Sequence, residues 1–164
     1  MKKILISLFV ILISPLFFNT KLSVNAHDTP KGELYLVNES IQCLNDGSYI
    51  VIKTYATPVY TKGGRSFLVG NKEYSKTASD GSLICKYTLT GYFEIEYGVS
   101  SSCYDTTYST IINSNNWSYQ NISNYYSGNA AYGEGKFERK LLFIVLETVN
   151  INLSVTCDIY GNIS

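Results

Sequence analysis

The sequence predicts an all-β protein: an antiparallel β-sandwich, immunoglobulin-like or related, that is disulfide-bonded and follows a helical N-terminal signal peptide. Three observations support this prediction. Apolar and polar residues alternate with a period of two, turn-forming Asp, Asn and Gly recur at short intervals, and four cysteines follow an apolar N-terminal run. Many short strands with one apolar face are typical of two packed antiparallel sheets.

The first 26 residues have the organisation of a secretory signal peptide. Lys2 and Lys3 precede the apolar run 4–18, and small residues at 24 and 26 predict cleavage after Ala26. The run is shorter than the roughly 20 residues that a membrane-spanning helix needs. We therefore expect a secreted, extracellular or cell-wall-associated protein without stable membrane insertion after cleavage. An uncleaved N-terminal anchor is the alternative.

The chain after the signal peptide is predicted to hold one domain. Residues 27–33 form a flexible leader, because Pro30 and Gly32 favour no regular element. Residues 34–164 then form a single β-sandwich domain, since no linker divides them and their number is typical of one domain.

The clearest strand pattern lies in residues 83–97, where odd positions are apolar and even positions are mostly polar. A strand of this length would exceed the usual range, so we expect Gly91 to mark a bend or a bulge. Two weaker strands, 48–55 and 65–69, precede it, and each follows a Gly-containing turn.

Further strands are predicted in the C-terminal half, at 103–112, 117–126, 131–137 and 148–157. The charged residues 138–140 are expected to form a corner. The apolar residues 141–146, with the sequence LLFIVL, are expected to form a core strand buried on both faces. An interface strand is the alternative for this segment.

The charge of the chain argues against some classes of partner. The sequence has 13 Lys and Arg and 13 Asp and Glu, and removal of Lys2, Lys3 and Lys21 with the signal peptide leaves a net charge of −3. With no basic cluster, we expect neither nucleic acid nor an anionic membrane surface as a partner. An extracellular protein or a cell-wall glycan is the expected class of partner.

The four cysteines follow an export signal and are even in number, which is typical of a disulfide framework. They are Cys43, Cys85, Cys103 and Cys157. Four cysteines allow three pairings, and Cys85 and Cys157 both lie on apolar strand faces. A metal site would need paired short spacings and more than one histidine, so we expect no metal and no cofactor.

The C-terminal half resembles a family of small uncharacterised secreted proteins of clostridium-like Gram-positive bacteria. The matching segments are residues 91–98 (GYFEIEYG), 101–103 (SSC), Trp117, 127–131 (SGNAA) and 153–162 (LSVTCDIYGN), with a weaker match at 45–49 (NDGSY).

The resemblance implies a secreted all-β domain in which Cys103 is bonded to Cys157, and it implies no activity. The sequence departs from the family at Cys85, where a large apolar residue is expected, and at Cys43, which is an addition. These two departures together suggest Cys43–Cys85 as a second disulfide.

Few residues offer catalytic chemistry. Glu94 and Glu96 share one strand face at about 7 Å, a spacing at which paired carboxylates can hydrolyse glycosidic bonds. They form the weaker alternative of a small extracellular hydrolase, together with Asp105. His27 is the only histidine, so neither a nucleophilic triad nor a copper site can be assembled.

Tyrosine offers the chemistry of recognition. Six tyrosines lie close together in the sequence among Asn, Ser and Thr, and such surfaces suit sugars or proteins. They are Tyr104, Tyr108, Tyr119, Tyr125, Tyr126 and Tyr132. The sequence therefore predicts a non-enzymatic, secreted or cell-wall-associated interaction module of unknown ligand. A secreted bacteriocin-like effector that acts on other cells is the alternative.

Overall fold

The computed structural model describes residues 32–164, which form nine strands. The signal peptide, its cleavage site at Ala26 and leader residues 27–31 lie outside the described residues. The strands are β1 Tyr35–Cys43, β2 Tyr49–Ala56, β3 Tyr60–Lys62, β4 Arg65–Thr77, β5 Leu83–Glu96, β6 Ser100–Ile112, β7 Trp117–Ser127, β8 Ala130–Leu141 and β9 Ile144–Thr156. Within this part of the chain, no helix has the length and apolar character that crossing a bilayer requires.

The strands form two antiparallel sheets, which confirms the prediction of an all-β, sandwich-like fold. The larger sheet has the order β1-β2-β4-β5-β6, and the short β3 pairs with the first residues of β4. The smaller sheet has the order β7-β8-β9. The link between the sheets is the turn at residues 113–116, which joins β6 to β7.

The immunoglobulin-like form of the prediction is wrong. An immunoglobulin sandwich places strands by Greek-key connections, so that neighbours in a sheet are often distant in sequence. Here the strands within β1-β2, β4-β5-β6 and β7-β8-β9 are consecutive in sequence. Among the described strands, the pair β2 and β4 is not consecutive, and only the three-residue strand β3 separates them in the strand sequence. The fold is therefore a meander folded over on itself at residues 113–116.

The core lies between the inner faces of the two sheets. Alternate residues of β5 are buried along its whole length, as the period-two pattern predicts. The fully buried side chains of the larger sheet pack against those of β8 and β9 in one cluster. Its largest members are Tyr87, Phe93, Phe137, Leu68, Leu89 and Val155.

Glycine lets the two sheets approach closely at the middle of β4 and β5. Gly70 and Gly91 are cross-strand partners. A Cβ atom on Gly91 would lie 3.0 Å from Ala131 of β8, and one on Gly70 would lie 2.8 Å from Val155 of β9. Gly91 was predicted to mark a bend or a bulge. In the structure it lies at this close approach, and the register shift of β5 against β6 comes just after it, between Tyr92 and Phe93.

Two turns at one end of the larger sheet repeat one local motif, Asp-Gly-Ser. Asp46 Oδ1 accepts hydrogen bonds from the backbone N–H and the hydroxyl of Ser48, at 3.0 and 2.6 Å. Asp80 Oδ1 accepts the same pair from Ser82. These hydrogen bonds hold the pKa of both carboxyls below the ordinary value.

The prediction that residues 141–146 form a buried core strand is wrong. The segment is the turn between β8 and β9 with its flanking residues, and all six side chains are exposed. A continuous apolar run has the length and composition of a buried strand, which is why the pattern misled. The run lies past the last packed layer of the sandwich, where no opposing sheet covers it.

The cysteines are free thiols in the structure, and the expected disulfide framework is not seen. The strand register contradicts a Cys43–Cys85 bond. Cys85 pairs with Lys76, and Lys76 pairs with Ile50 on the next strand. Ile50 in turn pairs with Gln42, the neighbour of Cys43. Three inter-strand spacings of about 4.8 Å separate the two cysteines, roughly 14 Å, whereas a disulfide needs about 4.4–6.8 Å between Cα atoms.

Candidate functional site

The six tyrosines that cluster in sequence occupy four separate places in the fold. Tyr108 and Tyr119 contribute to the inner layer, Tyr104 lies on the outer face of the larger sheet, and Tyr125 stacks on Tyr132. Tyr126 is exposed near the end of β7. Neighbours along a strand point to opposite faces, so proximity in sequence does not gather these rings into one site.

Tyr108 and Tyr119 belong to an aromatic layer where β6 meets β7. Tyr87 stacks on Tyr108 with ring centroids 5.7 Å apart, and Tyr119 lies 5.0 Å from Phe137. Burial raises the pKa of Tyr119 to about 12, so its hydroxyl stays neutral. This layer fills the edge of the sandwich and has a packing role.

The outer face of the larger sheet carries a second aromatic group around Tyr104. Tyr104, the residue at which β6 bulges against β5, meets the edge of Phe67 at 6.1 Å and Tyr92 at 6.3 Å. Tyr60 contacts Phe67 from β3. All four rings are half-buried against one another, and burial raises the pKa of Tyr104 to about 12.

The two candidate catalytic carboxylates meet in one cleft at the end of β5. Glu94 and Glu96 line a cavity of about 310 Å³ together with Arg65. The Arg65 guanidinium lies 3.3 Å from Glu94. Asp105 does not line this cavity, and its carboxylate instead accepts the N–H of Thr106 at 2.8 Å. The structure therefore brings together two of the three residues of the hydrolase hypothesis, with a cation already paired to one of them.

The outer face of the smaller sheet presents stacked tyrosines among amide, hydroxyl and carboxylate groups. The rings of Tyr125 and Tyr132 are 5.0 Å apart and within 17° of parallel. Cross-strand pairing places Ser154 beside Tyr132, and Asn152 beside Glu134 in the next row. We call these five residues the tyrosine face. Tyr125 and Asn152 are exposed on this face, and the other three side chains are half-buried.

Cys103 and Cys157 lie on either side of the turn between β7 and β8. The N–H of Cys103 donates to the Gly128 carbonyl at 2.8 Å, and that of Cys157 donates to the adjacent Asn129 carbonyl at 3.0 Å. Both side chains are buried in the same core cluster. Burial raises the pKa of Cys103 to about 11, and the neighbouring Cys157 thiol adds to the rise.

The exposed residues 141–146, here called the apolar tip, form a candidate surface. An interface strand was the alternative prediction for this segment, and the exposure of its side chains agrees with that alternative better than with a core strand. Leu142 and Phe143 form the turn, with Leu141 paired to Ile144 on either side. Phe143 is 99% exposed and Leu142 is 85% exposed. The charged residues that flank the run are the signal that could have identified it. They lie in two consecutive strands, and consecutive strands that pair with each other need a turn between them.

Ion pairs surround the base of the apolar tip. Glu138 binds Lys136 at 2.8 Å and Lys140 at 2.7 Å, and these two cations lower the pKa of Glu138 to about 2. Glu147 pairs with Arg139 and with the buried Lys76. We call these six residues the tip collar: Lys76, Lys136, Glu138, Arg139, Lys140 and Glu147.

Lys76 anchors the collar to the core. Its side chain is almost fully buried, and its Nζ lies 5.6 Å from the centre of the Trp117 ring. A buried cation is tolerated when it is paired and lies over an aromatic face. Elsewhere, residues 32–164 contain no group of three or more His, Cys, Asp or Glu side chains placed to hold a metal ion, and His27 lies outside the described residues.

Comparison with known proteins gives no relative from which a role could be carried over. No protein-family model, no curated protein and no solved structure matches the chain.

Proposed function

We propose that this protein is a secreted, non-enzymatic interaction module that binds a cell-wall glycan through its tyrosine face. The observation that carries the proposal is the stacked pair Tyr125 and Tyr132 on the outer face of the smaller sheet. Ser154 lies beside Tyr132 in the neighbouring strand, and Asn152 lies in the next row, beside Glu134. An extracellular protein is the second class of partner that such a face suits.

The chemistry of this face supports a sugar ligand. Tyrosine offers an apolar ring surface and a hydroxyl, while Asn and Ser offer both donors and acceptors. A sugar ring has an apolar C–H face and a rim of hydroxyl groups, so it needs both kinds of contact. Because the face is formed by paired strands, its side chains are held in fixed rows and lose little freedom on binding.

We further propose that Cys103 and Cys157 form a disulfide after export. The adjacent carbonyls of Gly128 and Asn129 hold the backbones of Cys103 and Cys157 beside the same turn, which supports their pairing. No such contact supports Cys43–Cys85 in the described residues. Two thiols lose two protons and two electrons to an exported thiol oxidant, whose disulfide is reduced. Burial raises the pKa of Cys103 to about 11, so in the reduced folded protein this thiol is a poor nucleophile.

The glycan proposal is tested by sedimentation of the exported protein with isolated bacterial cell walls. We expect the protein to co-sediment, and Tyr125→Ala or Asn152→Ala to weaken binding by about tenfold, because each removes a contact of the face. The matched control is Tyr97→Ala. Tyr97 directly follows β5, is exposed, and like Tyr125 contacts another tyrosine ring, that of Tyr160.

Equal weakening by Tyr97→Ala and Tyr125→Ala would contradict the tyrosine face as the binding surface. Absence of co-sedimentation at any accessible protein concentration would contradict the cell-wall ligand itself. Circular dichroism of each variant separates loss of binding from loss of folding.

A further inference from the structure

The apolar tip combines three features that turns between strands do not normally show together. It is apolar over six consecutive residues, it is exposed on both faces, and its turn contains Leu142 at φ 55°. Every other residue with positive φ in the described chain is glycine. A glycine at this position would relieve the strain, so what leucine adds over glycine here is an exposed apolar side chain.

We propose that the apolar tip inserts into the outer part of an anionic phospholipid bilayer, with the tip collar at the level of the lipid headgroups. The tip extends about 7–10 Å beyond Lys140, at roughly 3.3 Å per residue. Amphipathic elements that lie at membrane interfaces bury their apolar parts to about 5–10 Å. The apolar length of the tip therefore matches the depth of the interface.

The backbone of the tip is suited to an apolar medium. Leu141 pairs with Ile144 and Lys140 pairs with Val145, so the strand ladder continues to the residues that flank the turn. Unpaired backbone groups would be costly in lipid, where no water replaces the missing partner. A tip without this pairing would stay in the headgroup region.

The tip collar supplies charge complementarity to anionic headgroups. Its three cations on the β8–β9 hairpin, Lys136, Arg139 and Lys140, and its two carboxylates leave a net charge of +1, while the fourth cation, Lys76, is buried on β4. This departs from the expectation drawn from the net charge of the whole chain. The turns at this end of the larger sheet carry Asp46 and Asp80, so the positive charge belongs to the hairpin alone.

A bilayer fits the tip better than a second copy of the chain. The tip has six residues, whereas a stable protein interface uses roughly 20–30 residues on each side. A convex tip also needs a matching pocket on a protein partner. A bilayer needs none, because lipid chains rearrange around Phe143 and Leu142.

The test is co-sedimentation of the exported protein with phosphatidylglycerol vesicles and with phosphatidylcholine vesicles. All variants are prepared in the same exported form, with the N-terminus determined by mass spectrometry. We expect binding to the anionic vesicles that weakens with salt, and a loss of at least about tenfold in Phe143→Ser and in Leu142→Gly. The matched control is Val99→Ser, an exposed apolar residue in the turn at the opposite end of the sandwich, which should bind as the unchanged protein does.

A second readout locates the contact. In Phe143→Trp, the emission of the new indole should shift to shorter wavelength when anionic vesicles are added, beyond any shift of the unchanged protein. Vesicle binding that survives in Phe143→Ser would overturn the proposal. So would a tip that promotes concentration-dependent dimers in sedimentation without binding vesicles. Tyr125→Ala should leave vesicle binding intact, so that failure here is distinct from failure of the glycan proposal.

Discussion

At Leu142 the backbone conformation favours glycine, whereas the residue present adds an exposed apolar side chain. A side chain at positive φ places Cβ near the following carbonyl, at a cost of about 1–2 kcal/mol that glycine avoids. The strands of this protein meet that demand with glycine at the other positions where φ is positive, among them Gly47, Gly81 and Gly128. Leu142 bears the strain next to Phe143, whose side chain is 99% exposed.

We predict that Leu142→Gly stabilises the folded protein by up to about 1 kcal/mol, because glycine adopts positive φ without strain and the lost side chain makes no buried contact. Urea unfolding of the two proteins measures the difference. Leu142→Ala is the matched control, since alanine keeps Cβ and therefore the strain. A gain in Leu142→Ala equal to that in Leu142→Gly would contradict this account of the turn.

Strand register decides which side chains can act together. Cys43 and Cys85 are far apart because β2 and β4 lie between their strands. Cys103 and Cys157 come from β6 and from just after β9, yet both donate to the turn between β7 and β8. A turn of one hairpin thus joins two distant parts of the chain, which no spacing along the sequence reveals.

We predict that non-reducing peptide mapping of the exported protein yields a Cys103–Cys157 link. In the folded state a thiol reagent should modify Cys43, which is exposed, while Cys85 should react only on unfolding, since burial raises its pKa to about 11. Loss of the link in Cys103→Ser should destabilise the protein by about 2–4 kcal/mol. Cys43→Ser is the control and should change stability little. A Cys43–Cys85 or Cys43–Cys103 peptide would contradict the assignment.

At the scale of the whole molecule, carboxylates hold the ends of the sandwich. Asp46 and Asp80 fix two turns of the larger sheet. Asp158 accepts hydrogen bonds from the backbone N–H of Tyr160 and Asn162 in the C-terminal loop. These bonds, and the side-chain amide of Asn162, hold the pKa of Asp158 below the ordinary value. With Glu138 in the tip collar, both ends of the molecule contain ionised carboxylates that hold local structure.

We predict that the protein loses stability in acid. Each of these carboxyls has a folded-state pKa below its unfolded value, so its contribution is complete above about pH 4.5 and is lost as the pH falls toward the folded pKa, which for Glu138 is about 2. The urea midpoint should therefore fall between about pH 5 and about pH 2. Asp158→Asn should reduce the slope, and high salt should reduce mainly the part due to Glu138, an ion pair. A midpoint that does not change over this range would contradict the prediction.

The sequence predicted those strands whose two faces differ. β5 was predicted nearly to the residue, because one face of it meets the core and the other meets solvent. β1 escaped prediction because every residue of Tyr35–Cys43 is exposed, and an edge strand without a buried face shows no alternation. The apolar run at 141–146 escaped because composition indicates burial only when another element is present to cover it.

The candidate sites were less predictable than the strands. The pairing of Tyr125 with Tyr132 depends on the turn at Gly128, which sets the register of β7 against β8. Glu94 and Glu96 were placed on one face correctly, since they lie two apart on one strand, whereas Asp105 was not excluded by any spacing. Contacts within a strand follow from its period, but contacts between strands require a register that the pattern alone does not give.

The meander order has a consequence for how the chain folds. Within each sheet, nearly all strand pairs are chain neighbours, so their contacts close short loops and cost little chain entropy. The contacts of greatest separation in sequence lie where one sheet packs on the other, as between β4 and β9. Hairpins can thus form as soon as each turn is available, and docking of the smaller sheet is the step that must wait for the last strand.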